Sequence, residues 1–395
     1  MNIVKNTFIY LLAIFSIYLF AFNPVYLPLS SFGLVKCFYP LLLLFLLAEY
    51  RQSLKKFSKI SRLYLIAVAC CAIGAIMSSS NSVYTRSVNF IEIFLIPVII
   101  AHLFLRFKIK LPFVILGAAT LASFISLYAY LNSSFLFFLR SVQPVAESIN
   151  DYTLSVRDFG FSSELYSVYG WSLGFITVYL LLHLKKYSFF VLALPLIFFA
   201  ILINSRSGGL AVIIGFVVYA LFNRKFSALA SISFISIFLI FVIKNLDLGW
   251  INDGTMTFIT DFFDQLSNIL KGDRDNTYIG IYTGYQFVLP DNLFEWIFGR
   301  GFSLMGNKYG VASSDVGYLN DLAIGGLLYV LFVYKAYWKL FKLINVRWFY
   351  IASVTIFVVL NIKGCALDTN GLSRIFALVV FYESLHLKAY KNENN

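Results

Sequence analysis

The chain has 395 residues, of which 60% are hydrophobic and 13% are charged. Soluble domains carry about 25% charged residues, so this composition excludes an ordinary soluble enzyme. An aromatic content of 19% excludes a disordered chain. Apolar residues recur in blocks of about 15–21 residues, the length that crosses a ~30 Å hydrocarbon core. The predicted fold class is therefore all-α: a polytopic membrane protein with residues 1–395 as a single integral membrane domain.

Twelve membrane-spanning helices are predicted from these blocks. The predicted spans are 7–22, 32–49, 63–79, 87–105, 111–131, 165–184, 188–204, 208–222, 226–243, 317–335, 348–363 and 372–388. The first block follows Lys5 and lacks a small-residue cleavage pattern, so it is predicted to be a retained helix and not a signal peptide. If the N-terminus is cytoplasmic, the lysine-rich short connections fall inside, as the positive-inside rule requires. Both termini are then predicted to be cytoplasmic.

Two segments on the predicted outer side are long, 132–164 and 244–316. Within the second, residues 255–271 place apolar side chains on one helical face and acidic ones on the other. This pattern predicts a helix that lies on the outer membrane surface or covers the spans. The outer segments also favour Arg over Lys, and a guanidinium binds phosphate or carboxylate through two parallel hydrogen bonds. The outer face is therefore predicted to recognise an anionic group.

The first candidate site is the segment NSRSGG at 204–209, at the outer start of span eight. Ser205 or Ser207 can cap the helix, and Arg206 at a helix N-terminus makes an anion site. The alternative is a capped helix whose arginine anchors at lipid headgroups. Arg274 and Arg300 in the large loop are further candidates, with ion pairs inside the loop as the alternative.

Acidic residues near the outer face form a second group of candidates. Asp315 is either the N-cap of span ten or a free carboxylate at the membrane face. Asp321 lies about 9 Å deeper at 1.5 Å per residue, where a carboxylate needs a polar cavity or a partner. Glu92, six residues after Arg86, is expected to have a cationic partner. Other charged residues that sit at or near the outer face, with structural ion pairs as the alternative, are Arg140, Arg157, Glu164, Asp368 and Arg374.

No metal or cofactor site is predicted. The cysteines lack metal-ligand spacing, and the histidines His102, His183 and His386 map to cytoplasmic ends of predicted spans. No phosphate-binding glycine loop with lysine and no HExxH motif occurs. These features favour a metal-independent reaction at the outer face on a substrate with an anionic group.

The order of three motifs resembles a known family. SRSGG opens one span, a large outer loop follows with DR and GRGF, and SSDVGYLNDLAIGGLLYVL opens the next span. This arrangement resembles the O-antigen polymerase (Wzy-type) group, which is similar to the O-antigen ligases. The motif resemblance covers about residues 205–330, and the topology extends it over the full chain.

The resemblance implies a glycosyltransferase at the periplasmic face of the bacterial inner membrane. Its donor is a glycan on undecaprenyl diphosphate, and its acceptor is an undecaprenyl-diphosphate-linked repeat unit. Arg206 and Arg274 match the family's paired loop arginines, which hold diphosphate and stabilise the leaving group. Asp315 stands where the ligases have a histidine, and is the candidate base. The candidate substrate-binding residues are Arg300, Arg86, Arg157, Tyr318 and Asp321.

The implied partners are the undecaprenyl-diphosphate-linked oligosaccharide, a chain-length-regulating co-polymerase and membrane lipids; no nucleic acid and no cofactor is expected. Three alternatives remain. An O-antigen ligase is weakened by the missing outer histidine. A repeat-unit flippase predicts charged residues within the spans and short loops on both sides. The third alternative is a non-catalytic membrane scaffold. The type of glycan, O-antigen or capsule, stays open.

Overall fold

In a computed structural model of the chain, the described residues are 2–24, 57–78, 80, 82–142, 160–162, 167–224, 287–304, 314–368 and 370–393. They form α-helices and contain no β-strand. The helices are α1 (Asn2–Phe22), α2 (Ser58–Ser78), α3 (Ser82–Phe90), α4 (Ile96–Arg106), α5 (Leu111–Leu131), α6 (Ser133–Val142), α7 (Ser167–His183), α8 (Leu194–Asn204), α9 (Arg206–Asn223), α10 (Leu293–Phe298), α11 (Gly317–Phe341), α12 (Arg347–Lys363) and α13 (Gly371–Glu393). A π-helical segment, Ile91–Leu95, joins α3 to α4, and a 3-10 segment, Ser188–Ala193, precedes α8.

The helices match most of the predicted spans. The spans predicted at 32–49 and 226–243, and the amphipathic helix predicted at 255–271, lie outside the described residues. The other predicted spans coincide with helices. The outer segment predicted at 132–164 begins with the helix α6.

Four described helical stretches are long and apolar enough to cross a membrane: Ser58–Ser78, Val83–Arg106, Leu111–Leu131 and Gly317–Phe341. Shorter apolar helices accompany them. Large apolar side chains also face outward, and Phe137 and Leu192 are 76% and 83% exposed. Exposed apolar surface of this kind is typical of contact with lipid. In the residues that the structure describes, the protein is all-helical, and its apolar helices are compatible with a position in a membrane.

The chain forms two compact units. The first comprises Met1–Leu34, Pro112–Ser267 and Val346–Ile356. The second comprises Val35–Leu111, Asn268–Asn345 and Phe357–Asn395.

Small residues allow α7 to pack closely against α9 in the first unit. A Cβ on Gly170 would lie 2.4 Å from the Cβ of Ser205. A Cβ on Gly208 would lie 2.4 Å from the carbonyl oxygen of Gly170, and one on Gly174 would lie 2.5 Å from the carbonyl oxygen of Gly208. Glycines spaced four apart let two helix backbones approach each other, as is common within membranes.

A buried tyrosine of α7, Tyr169, contacts α1 and α5 in the same unit. The hydroxyl of Tyr169 donates to the carbonyl oxygen of Ala122 at 2.8 Å and lies 2.8 Å from the hydroxyl of Ser126. Its ring centroid is 5.0 Å from that of Phe22. The side-chain amide of Asn204 donates to Ser126 at 3.4 Å. The buried polar side chains of Tyr169, Ser126 and Asn204 thus have hydrogen-bond partners within the unit.

Aromatic side chains form the core of the second unit. The ring of Phe381 on α13 lies 4.7 Å from that of Phe57 and 5.6 Å from that of Phe94 in the π-helical segment. Earlier on α13, the ring centroid of Phe376 lies 4.7 Å from that of Phe341 on α11. Aromatic pairs at these distances add stability beyond the area they bury, so α13 is held against both neighbours.

Two adjacent glycines at the start of α9 give a test of this packing. Gly208→Ala should lower the melting temperature of the detergent-purified protein, because its Cβ would meet the backbone of α7. Gly209→Ala is the matched control, since no atom lies within 4 Å of a Cβ there. Alanine favours a helix over glycine by about 1 kcal/mol, so this variant should melt at the same temperature as wild type or higher. Equal melting temperatures for the two variants would contradict the packing described for α7 and α9.

Candidate functional site

The helix α11 is broken in the second unit. Gly326 has φ 67° and ψ −169°, far from helical values, and a Cβ there would lie 2.3 Å from the carbonyl oxygen of Ile297. Only glycine adopts such a conformation without strain. The break interrupts the ladder of hydrogen bonds and leaves carbonyl groups that need other partners. One of them, Ile324, accepts a hydrogen bond from the Cys71 thiol at 3.6 Å.

The turn Gly299–Arg300–Gly301 packs against this break. The backbone amides of Arg300 and Gly301 both donate to the carbonyl oxygen of Ala323, at 2.6 Å and 3.1 Å. Both glycines have positive φ, 76° and 78°, a conformation that glycine adopts without strain. On the other side, a Cβ on Gly74 of α2 would lie 2.7 Å from the carbonyl oxygen of Phe298. The loop thus fits between α2 and the broken helix.

The Arg300 guanidinium holds this loop together from within. Its Nε donates to Glu295 at 2.7 Å, and its Nη2 lies 2.9 Å from both the Asp291 carboxylate and the Leu289 carbonyl oxygen. The predicted substrate-binding role of Arg300 therefore competes with partners inside the loop.

Groups of the same loop shift the pKa of the Glu295 carboxyl. Partial burial opposes its ionisation, but the Asp291 amide, the Arg300 guanidinium and the Asn292 side chain together lower the pKa of this carboxyl below its usual value. The ion pair consequently stabilises the loop above the ordinary glutamate pKa of about 4.3. That stabilisation is lost as the pH falls through the lowered pKa.

Asn320 joins the loop to the start of α11. Its Oδ1 accepts hydrogen bonds from the Ser303 hydroxyl at 2.7 Å and from the Leu304 amide at 2.8 Å. Its Nδ2 donates to the carbonyl oxygens of Ser314 and Val316. One fully buried side chain thereby fixes the loop beside the first turn of the helix.

The best-defined charge pair of the unit joins Arg86 and Asp368. The two Nη atoms of Arg86 donate to the two carboxylate oxygens of Asp368 at 2.9 Å and 3.0 Å. The side-chain amide of Asn89 also donates to this carboxylate. The guanidinium lies 5.8 Å from the ring centroid of Tyr329, a cation–π distance. Arg86, a predicted substrate-binding residue, is thus bound by an internal carboxylate.

A second buried ion pair involves the π-helical segment. Glu92 lies in that segment, and its Oε2 is 3.1 Å from the Nε of Arg374 at the start of α13. Both side chains are 3% exposed. The cationic partner expected for Glu92 is therefore Arg374. Short π-helical segments often occur at functional sites.

Asp321 lies in the first half of the broken helix and is 2% exposed. Its Oδ2 accepts a hydrogen bond from the Tyr334 hydroxyl at 2.7 Å and a longer one from the Asn361 amide at 3.4 Å. Asn361 also donates to the Tyr334 hydroxyl at 3.1 Å. The polar partners expected for this carboxylate include the Tyr334 and Asn361 side chains, which are both neutral.

Two predicted residues flank the start of α11. Asp315 is exposed, and Val316 occupies the N-cap position without a side-chain cap. The interpretation of Asp315 as the N-cap is therefore wrong, because the helix begins one residue too late for it. Tyr318 is partly buried, and its hydroxyl donates to the Val358 carbonyl oxygen at 2.7 Å.

Arg206 begins α9 in the first unit, and its side chain lies outside what the structure describes. Of the two possible caps, Ser205 and Ser207, it is the Ser205 hydroxyl that accepts from the Gly208 amide, at 3.3 Å. Ser207 accepts a hydrogen bond from the Trp171 indole at 2.7 Å. A Cβ on Gly208 would meet the backbone of α7, whereas no neighbouring atom lies within 4 Å of a Cβ on Gly209.

Two further predicted site residues, Arg157 and Arg274, lie outside the described residues. Of the others, the second unit brings Arg86, Asp315 and Asp321 together with Asp368. All four act electrostatically on the same thiol, Cys365. The part of the chain that the structure describes contains no cluster of His, Cys, Asp and Glu able to bind a metal ion.

Three polar residues of this cluster were not predicted from sequence. Asn89 and Asn361 fall inside predicted apolar spans, and a buried amide in a span is a signal that was available. Tyr334 carries no such signal, because it is one of 26 tyrosines in the chain. Its role depends on the fold alone.

Comparisons of the chain with models of protein families, with curated proteins and with solved structures gave no significant match. The resemblance to the O-antigen polymerases therefore rests on the motifs within residues 205–330.

The Arg86–Asp368 pair can be tested by a double-mutant cycle. Arg86→Met should lower the free energy of unfolding by about 3–5 kcal/mol, because it leaves a carboxylate without its charge partner. Arg86→Lys should also destabilise the protein, since lysine cannot make two parallel hydrogen bonds. Adding Asp368→Leu to Arg86→Met should recover part of the loss. Unfolding in mixed detergent micelles is measured for wild type, Arg86→Met, Asp368→Leu and the double variant, with Arg86→Lys beside them. Strictly additive effects of the two single changes would exclude a direct interaction.

Proposed function

We propose that the chain polymerises lipid-linked repeat units of a bacterial surface polysaccharide. In this proposal it crosses the inner membrane twelve times, with both termini in the cytoplasm. The growing glycan is transferred from undecaprenyl diphosphate to a sugar of a new undecaprenyl-diphosphate-linked repeat unit at the periplasmic face. The enzyme is a metal-independent glycosyltransferase that receives its sugars already attached to lipid.

The observation that carries this proposal is the distribution of charge along three helices of the second unit. Arg86 is the fifth residue of α3, Asp321 the fifth of α11, and Arg374 the fourth of α13. The predicted topology assigns the start of each of these helices to the outer side. Charged residues in apolar helices are costly and are kept where function requires them. A polar cluster at the outer ends of the helices suits a reaction on lipid-linked sugars at that face.

The break in α11 supports the same proposal. Non-helical backbone at membrane depth is tolerated only where protein covers it or a polar cavity adjoins it. In other membrane proteins, interrupted helices with freed backbone groups often line binding sites. Here the interruption follows Asp321 by five residues, at Gly326. The break at Gly326 thus lies within SSDVGYLNDLAIGGLLYVL, one of the motifs that carry the family resemblance.

The diphosphate ligands proposed from the resemblance are Arg206 and Arg274. Guanidinium groups would stabilise the negative charge that develops on the departing lipid diphosphate, which is the main electrostatic demand of the reaction. Arg86 and Arg300 suit this role less well, because each is engaged by carboxylates of its own unit. A co-polymerase in the same membrane would set the chain length.

A repeat-unit flippase is the second candidate function. The buried charges Arg86, Glu92 and Asp321 within helices favour it, since a transporter must offer polar groups to a sugar that crosses the membrane. An O-antigen ligase is a weaker alternative, carried only by the similarity of the two families.

The three functions give different surface glycans when the gene is deleted in its native host. If the chain is a polymerase, the deletion strain should show lipid carrying core plus one repeat, because a single unit is still flipped and ligated. If it is a flippase or a ligase, no repeat should reach the core. Electrophoresis of the extracted surface glycan separates these outcomes, and a complete absence of repeats on the core would refute polymerisation.

Complementation of the deletion strain tests the diphosphate ligands. Arg206→Ala and Arg274→Ala should reduce glycan beyond one repeat by tenfold or more at normal protein level. Arg224→Gln is the matched control for the first, since it removes an arginine from the opposite end of α9 and should restore long chains fully. Full complementation by both alanine variants would show that these arginines do not bind the diphosphate.

A further inference from the structure

The two carboxylate oxygens of Asp321 have unequal surroundings. The Tyr334 hydroxyl and the Asn361 amide both donate to Oδ2. Among the described residues, no hydrogen bond is seen to Oδ1, and Oδ1 is not one of the fully enclosed side-chain atoms that lack a partner. This oxygen is therefore the one at which the carboxylate can accept a further hydrogen bond.

The partners of Oδ2 are themselves fixed. Asn361 accepts a hydrogen bond from the Ala366 amide at 2.9 Å, and its Nδ2 donates to the Tyr334 hydroxyl. These bonds orient the Asp321 carboxylate and neutralise none of its charge, because both donors are neutral. The free Oδ1 therefore keeps the ability to accept a proton.

The other carboxylates of this cluster are less suited to act as a base. Asp368 uses both oxygens on Arg86, and Glu92 is paired with Arg374. Asp315 is exposed, so water competes with a substrate hydroxyl for its oxygens. Of these carboxylates, only Asp321 combines burial and an unused oxygen with hydrogen-bond partners that are all neutral.

We propose that Asp321, and not Asp315, is the general base of the transfer reaction. This inference rests on the proposed polymerase function. Oδ1 of Asp321 accepts the proton of the acceptor sugar hydroxyl as its oxygen bonds to the anomeric carbon of the donor. The bond from that carbon to the phosphate oxygen breaks, and its electron pair leaves with the undecaprenyl diphosphate. In the same cluster, the Asp368 side chain is 27% exposed.

The test uses the purified full chain and the lipid-linked repeat unit extracted from the deletion strain, which should accumulate it. Polymerisation by wild type is the first requirement. If wild type does not extend this substrate, the proposed function fails, and that failure is distinct from a wrong choice of base.

Given an active wild type, Asp321→Asn should lower turnover per folded molecule by about 10²–10⁴-fold, the usual contribution of a general base. Asp315→Asn tests the residue that the resemblance implies as the base, and its turnover should exceed that of Asp321→Asn by at least tenfold. The proposal is overturned if Asp321→Asn polymerises as fast as wild type, or if Asp315→Asn alone abolishes turnover.

A second variant covers the case in which Asp321→Asn does not fold. Asp321→Glu retains a carboxylate but moves it by one methylene group, and a 1 Å misplacement costs about 10²-fold in rate. Its kcat should fall by tenfold or more, while KM for the lipid-linked acceptor stays within about threefold. A raised KM with unchanged kcat would assign Asp321 to substrate binding and would exclude it as the base.

Discussion

A buried polar group needs a partner inside the protein, and this constraint organises the second unit. When Gly326 interrupts α11, the carbonyl groups around the break lose their helical partners. The amides of Arg300 and Gly301 and the thiol of Cys71 supply new ones. The loop that precedes α11 is thus bound to the break in that helix, and ion pairs within the loop maintain its conformation. Broken helix and loop form one structural element.

The same constraint separates the roles of the charged side chains. In the bidentate pair of Arg86 with Asp368, both Nη groups and both carboxylate oxygens are engaged. Glu92 and Arg374 form a second ion pair. Asp321 differs because its hydrogen-bond partners are neutral and bind only one of its oxygens. The chemistry proposed for this unit therefore follows from which oxygen remains available, more than from how many charges are present.

Much of the fold could be predicted from the sequence because helix formation in apolar segments is a local property. Within the described residues the predicted apolar spans coincide with helices, and Ser205, one of the two expected caps, caps α9. Glu92 was expected to have a cationic partner, and the structure contains one. That this partner is Arg374 was not predictable, since Arg374 lies far along the chain. The prediction for Asp315 as N-cap failed because capping depends on where the first turn begins, within one residue.

The sequence by itself determined the all-helical class, the positions of most helices and the candidate charged residues, because these depend on composition and on periodicity over short distances. Only the tertiary structure decided the pairing of residues 282 positions apart, as in Arg86 with Asp368. The tertiary structure alone also revealed the break at Gly326. In a sequence, a pair of glycines within an apolar run can indicate either a helix break or close helix packing, and close packing is what Gly208 provides. Long-range contacts decide between such uses, and a linear pattern does not contain them.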